Sequence, residues 1–310
     1  MDRDDASRPL AERLLIGLAL IVALAGLAGG AWWLLTQTSV GTLVRDSSPN
    51  WTPDGDVIFT SATDGKGDIY LTDKAGSHRR SLVATAGDDD GAALSLDGSK
   101  LAYHTDIDGN YEIYTAQADG LAPKRVTHDP AIDQLPAWSR DGTQIVFMSN
   151  RGGKMFDIYR MKADGSNVER LTTGKSNGFP EYSPDGGQLV LQIERDVFIM
   201  SLSTKGLRQV TGSPTNGQHP TWSPTGHQLA FVSSRNGRRE IFTSLVDGTD
   251  AKPLVTMPTG DAIDPRWSPD GRFIAFVHVP DGVDSDQDGK AQRVVYVVEK
   301  DSGRLQRISR

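Results

Sequence analysis

The stretch "DSDQDGKAQ", near the C-terminus, places Asp284, Asp286 and Asp288 at alternating positions, with Gly289 next. Hard carboxylate oxygens at the first, third and fifth places of a loop, followed by a turn glycine, suit Ca²⁺. The twelfth place should carry a bidentate Glu, and here it is Val295. The pattern is half complete, and the competing reading is a solvated acidic hairpin tip lengthened in this blade alone. A second candidate is "GKSNG", Gly174 to Gly178, which has the Gly-x-Ser-x-Gly form of a nucleophile elbow. That elbow needs a buried strand before it and a helix after it, and "FPEYSPDG" is no helix. It reads as a chance match. The six histidines, His78, His104, His128, His219, His227 and His278, show no metal-ligand spacing. No catalytic residue emerges.

The elements that must carry these groups are set by a repeat. Phrases such as "TWSPTGHQLAFV" and "PRWSPDGRFIAFV" recur with an aromatic or apolar anchor at Trp51, Leu94, Trp138, Tyr182, Trp222 and Trp267. Successive anchors lie 40–45 residues apart, the period of a propeller blade. Four residues past each anchor stands Gly, preceded by Asp in every copy except the one with Thr225. Asp-Gly between two apolar runs is a hairpin signal. A period-2 strand follows, then a third strand with an apolar-aromatic pair such as Ile113-Tyr114 or Ile158-Tyr159. An acid precedes that pair in five copies: Asp68, Glu112, Asp157, Asp196 and Glu240. A polar outer strand such as "VERLT" closes each unit. The sequence therefore predicts an all-β chain, a six-bladed β-propeller of four-stranded antiparallel blades over 48–310. It leaves open how the ring closes.

Ahead of the propeller, Leu14 to Leu35 is an uncharged run of 22 residues. As a helix rising 1.5 Å per residue it is roughly 30 Å long, enough to cross a bilayer. Trp32 and Trp33 sit at its far end, and Arg3, Arg8 and Arg13 precede it. The expected layout is a cytoplasmic tail (1–13), a transmembrane signal-anchor helix (14–35), a linker (36–47) and an extracytoplasmic propeller. A cleavable signal, releasing the propeller as a secreted protein, is the alternative. The chain has no Cys and a net charge of −7. Disulfide and thiolate chemistry are excluded, and nucleic acid is a poor partner for so acidic a chain.

A third candidate site follows from the architecture. Residues three to six before the anchors fall in the loops entering the innermost strands, around one mouth of the channel. They include Asp46, Asp89, Asp90, Asp133, Asn177, Asn216, His219, Asp261 and Asp264. A ring of this kind would seek a cation or a basic protein segment. Short acids in loops also bond their own backbone, and that reading stands beside the first.

The phrases "WSPDG", "YSPDG", "DGNYEIY" and "DIYRMKADGSNVERLT" resemble the repeats of the TolB propeller family, over nearly all of 48–308. The resemblance implies a non-enzymatic scaffold that binds a protein of the periplasm or cell envelope. The family's globular domain ahead of the propeller has no counterpart here, where the apolar run and linker occupy its place. A ligand- or metal-binding catalytic propeller, of hydrolase or lyase type with its site at the channel mouth, is the alternative.

Overall fold

A computed structural model describes residues 45–62, 65–212, 216–281 and 292–309. All of them fall within one compact unit, Leu43–Arg310. The apolar run at 14–35 and the acidic triad Asp284, Asp286 and Asp288 lie outside the described residues. Among the described residues no helix is long and apolar enough to cross a membrane.

The chain forms six four-stranded antiparallel sheets, each made of consecutive strands. The first blade is β1 (Arg45–Trp51), β2 (Val57–Ala62), β3 (Gly67–Thr72) and β4 (Arg80–Val83). The second is β5 (Asp89–Leu94), β6 (Lys100–Thr105), β7 (Glu112–Gln117) and β8 (Lys124–Arg125). The third is β9 (Asp133–Trp138), β10 (Gln144–Ser149), β11 (Asp157–Lys162) and β12 (Glu169–Arg170). The fourth is β13 (Asn177–Tyr182), β14 (Gln188–Ile193), β15 (Asp196–Ser201) and β16 (Leu207–Gln209). The fifth is β17 (Gln218–Trp222), β18 (Gln228–Ser233), β19 (Glu240–Leu245) and β20 (Lys252–Val255). The sixth is β21 (Asp261–Trp267), β22 (Phe273–Val279), β23 (Val294–Glu299) and β24 (Leu305–Arg307). The innermost strands touch in sequence, β1 to β5, β9, β13, β17 and β21, and β21 returns to β1.

The hydrophobic core lies in the seams between blades. Trp138, Ile145, Phe147 and Tyr159 of the third blade pack on Ala93, Ala102, Ile113 and Val126 of the second. The other five clusters repeat this arrangement, each joining residues of neighbouring blades. One twisted sheet cannot bury both of its apolar faces alone, and this is why the phrase must repeat. Among the described residues the ring closes by packing, with each sheet made of its own four consecutive strands. Trp51, Val57 and Phe59 lie against Ile263, Val277, Val295 and Ile308. A single parallel bridge joins Arg45 to Arg293, and the Trp51 indole donates to the carbonyl of Arg266 at 2.9 Å.

The Asp-Gly hairpins are built as the sequence suggests. Gly142 sits at φ 65°, where a side chain is strained. The Ser139 hydroxyl donates to Asp141 at 2.6 Å and accepts from the amide of Gln144 at 2.9 Å. The same bonds from Ser95 and Ser99 pull the Asp97 carboxyl down to about 2. Asp97, Asp141, Asp185 and Asp270 each fasten the turn by accepting a backbone amide two residues on.

Candidate functional site

Each innermost strand contains a bulge. The pairing of β1 with β2 slips between Ser47 and Asn50, and the other five blades slip at the equivalent place. The residue three before each anchor takes up the slip in the left-handed region. These residues are Ser48 (φ 47°), Gly91 (64°), Leu135 (51°), Phe179 (52°), His219 (48°) and Asp264 (52°). For the non-glycine members this costs roughly 1–2 kcal/mol each. Strain of this kind persists only where the surroundings impose it, and it collects at ligand clamps. Proline follows all of these residues except Gly91.

These strands enclose a cavity of about 470 Å³. Its wall includes Ser48, Gly91, Leu135, Phe179 and Asp264, together with the residue immediately before each anchor. Those residues are Asn50, Ala93, Ala137, Glu181, Thr221 and Arg266. The lining is lopsided. At the place before the anchor, blades one to three contribute the neutral Asn50, Ala93 and Ala137, and blades four and six the charged Glu181 and Arg266; Arg140 of the third blade lies further along the wall.

The charged side is tied together across blades. Phe179 of the fourth blade stacks on the His219 ring of the fifth, centroids 3.9 Å apart and planes at 22°. His219 Nδ1 meets the carboxylate of Asp264 in the sixth blade, and its amide donates to Gln192 Oε1 at 3.0 Å. Burial alone would raise the Asp264 carboxyl. The charge and hydrogen bond of His219, with Arg266 and Arg293 nearby, outweigh it and hold the group below its ordinary value. Glu181 goes the other way. Burial raises its carboxyl, and the attraction of Arg266 and the amide of Trp222, 3.1 Å from Glu181 Oε1, offset this only in part. Among the described residues, neither Glu181 nor Arg266 forms an ion pair. Glu181 is held by the Trp222 amide and Arg266 by the carbonyl of Pro265 at 3.0 Å, so the wall carries an acid and a guanidinium bonded to backbone and not to each other.

Of the residues expected around the mouth, His219 and Asp264 are brought together here. Asp261 is gripped by Arg239, whose amide, Nε and NH2 reach it at 3.1, 2.8 and 2.8 Å. Asp90 accepts the amide of Gly91 at 2.6 Å, and Asn216 is a half-buried loop residue at φ 38°. Asp46, Asp89, Asp133 and Asn177 stand five before their anchors and are buried in the seams. Asp89 accepts from the amide and hydroxyl of Thr85 at 2.7 and 2.8 Å. Asp133 accepts from Arg151 at 2.6 Å, and the Asn177 amide donates to Asp157 at 3.1 Å. Burial raises the carboxyls of Asp46 and Asp89. No group of three or more His, Asp or Glu among the described residues has the arrangement to hold a metal ion.

The acid at the start of the third strand also has a role in the seam. Thr127 accepts from the amide of Ile113 at 2.8 Å and donates to Glu112 at 2.5 Å. Thr172 with Ile158 and Asp157, and Thr211 with Val197 and Asp196, repeat the device. It latches the short outer strand to its blade.

Glu181, Arg266, Leu135 and Phe179 were missed by reasoning from the repeat, yet the signal was present. "PEYSPDG" and "PRWSPDG" are the two copies with a charge directly before the anchor.

A family model for the TolB beta propeller domain matches residues 42–192 and 174–284. The chain belongs to the TolB beta propeller domain family. An uncharacterised protein of Agrobacterium fabrum is 30% identical over 198 residues, spanning 58% of this chain and 67% of that protein. The Tol-Pal system protein TolB of Francisella tularensis subsp. mediasiatica is 32% identical over 147 residues, 44% of this chain. The match spans only 33% of that TolB. A putative TolB from Agrobacterium tumefaciens superposes with a TM-score of 0.67 at 22% identity, covering 74% of this chain and 84% of that one. An oligogalacturonate lyase in complex with manganese superposes with a TM-score of 0.57 at 19% identity, covering 86% and 78%. At such identities these two likenesses concern the fold.

Proposed function

We propose that this propeller is a non-enzymatic protein-binding scaffold of the cell envelope. It is held at the cytoplasmic membrane by residues 14–35, with the blades on the extracytoplasmic side. A protein partner inserts a polar segment into the channel opening. The observation that carries this reading is the cavity wall, where, among the described residues, Glu181 and Arg266 form no ion pair and the strained bulge residues stand beside them. A group that both donates and accepts hydrogen bonds, such as a peptide amide, satisfies the two at once. The family membership and the TolB relatives support a role in binding proteins rather than in chemistry.

The test is co-purification from membranes of cells expressing the full chain. The wild type should recover an envelope protein, and E181Q/R266Q should lose it while keeping its circular dichroism. Recovery undiminished in the double variant would overturn the assignment to the channel.

A further inference from the structure

Three blades place a guanidinium over the aromatic pair of their second and third strands. Arg79 lies over Phe59 and Tyr70, Arg151 over Phe147 and Tyr159, and Arg235 over Phe231 and Phe242. Arg151 and Arg235 are strict equivalents. Each stands two residues past a serine that ends the second strand, and each donates Nε to that serine, at 3.0 and 3.1 Å. They differ in what faces the rest of the guanidinium. Arg151 NH2 reaches Asp133, 2.6 Å away and five before the anchor of its blade.

In the fifth blade that position is Gly217. A Cβ added there would come within 2.6 Å of Thr211 Oγ1, so this position has no room for an acid. Arg238 and Arg239, in the same turn, are engaged with Asp281 and Asp261 at 2.8 Å. Arg235 forms no ion pair among the described residues. It is half-buried, and burial lowers its pKa with no neighbouring charge opposing. Stacking and the serine bond fix the plane of its guanidinium and leave a two-pronged donor edge.

We propose that Arg235 anchors a carboxylate from an acidic segment of a partner protein, bound at the guanidinium edge that Asp133 occupies in the third blade. The third blade contains its own answer to such a cation, and among the described residues the fifth supplies none. A planar, pre-oriented guanidinium suits a carboxylate bound through both oxygens. The site is separate from the channel, at the end of the propeller where the innermost strands begin. It does not depend on the channel reading.

The test uses the full chain in detergent and a fluorescein-labelled hexaglutamate peptide, read by fluorescence polarisation at low salt. The net charge of −7 opposes indiscriminate uptake of a polyanion. The expected result is saturable binding, weakened at least about tenfold by R235Q and also by R235K, which keeps the charge and loses the planar fork. R238Q, removing an arginine already paired, should change affinity less than about threefold. E181Q should leave it unchanged, which separates this site from the channel. R235K retains the cation over the aromatic pair, so it reads out binding if R235Q fails to fold. Absence of saturable binding, or wild-type affinity in R235K, would overturn the proposal.

Discussion

Replacing Asp133 by Asn should make the stability of the propeller less sensitive to pH, by an amount that follows from the seam between the second and third blades. Asp133 is fully buried. The hydroxyls of Ser149 and Thr127 and the charge of Arg151 favour its ionised form, while burial and the carboxylate of Glu112 oppose it. Burial wins, and the carboxyl is pushed up from 3.8 to about 6. A carboxyl raised on folding binds its proton more tightly in the native state. Its stabilising contribution is therefore whole below about pH 4 and is lost as pH rises through about 6. The shift of about two units, at 1.36 kcal/mol each, amounts to about 3 kcal/mol. Asn keeps the size and does not titrate. Whatever D133N costs at pH 3.5, its stability relative to wild type should improve by about 3 kcal/mol by pH 7.5. Urea unfolding followed by tryptophan fluorescence at a series of pH values measures the difference. A flat difference would refute the reasoning. A difference running the other way would mean that Arg151 outweighs burial and holds the carboxyl below its ordinary value.

Two further outcomes concern the seams and latches. The Trp138 indole donates across a seam to the carbonyl of Ala93 at 3.1 Å, so W138F should cost about 1–2 kcal/mol through the unpaired carbonyl, and W138A about 3–5 kcal/mol, read by the same unfolding assay. T127V removes the latch hydroxyl from Glu112 and from the amide of Ile113, and should cost about 3 kcal/mol. Native-state hydrogen exchange should then show β8 released before the rest of its blade.

The repeat made the blades legible because anchor, Asp-Gly turn and alternating strand each answer to local rules. Gly142 needs positive φ, and Phe147 needs a buried face. The closure of the ring was not legible, since it depends on Trp51 meeting Ile263, more than 200 residues away. The candidate site was read only in part. His219 and Asp264 were found by position, but acids five before the anchor looked the same in sequence and turned into the seams. What separates them is the bulge: the residue three before the anchor lies in the slip, while the residue five before it, as with Asp133 and Ser149, stays paired with the second strand. Asp133 and Asp264 differ by two places relative to their anchors, and one is sealed in a seam while the other lines the cavity. The threonine that ends the polar outer strand "VERLT", Thr172, is a latch group, as is Thr127, because the partner acids come from the neighbouring strand.

Insertion of a protein partner at the channel opening, as proposed, can be tested directly. A photo-crosslinking amino acid placed at Ala137, in the cavity wall, and separately at the exposed Leu305 on the outermost strand, tests it in intact cells. The account predicts a discrete crosslinked envelope protein from Ala137, identified by mass spectrometry and lost in the E181Q/R266Q background, and none from Leu305. A crosslink of the same partner from Leu305 alone would contradict it.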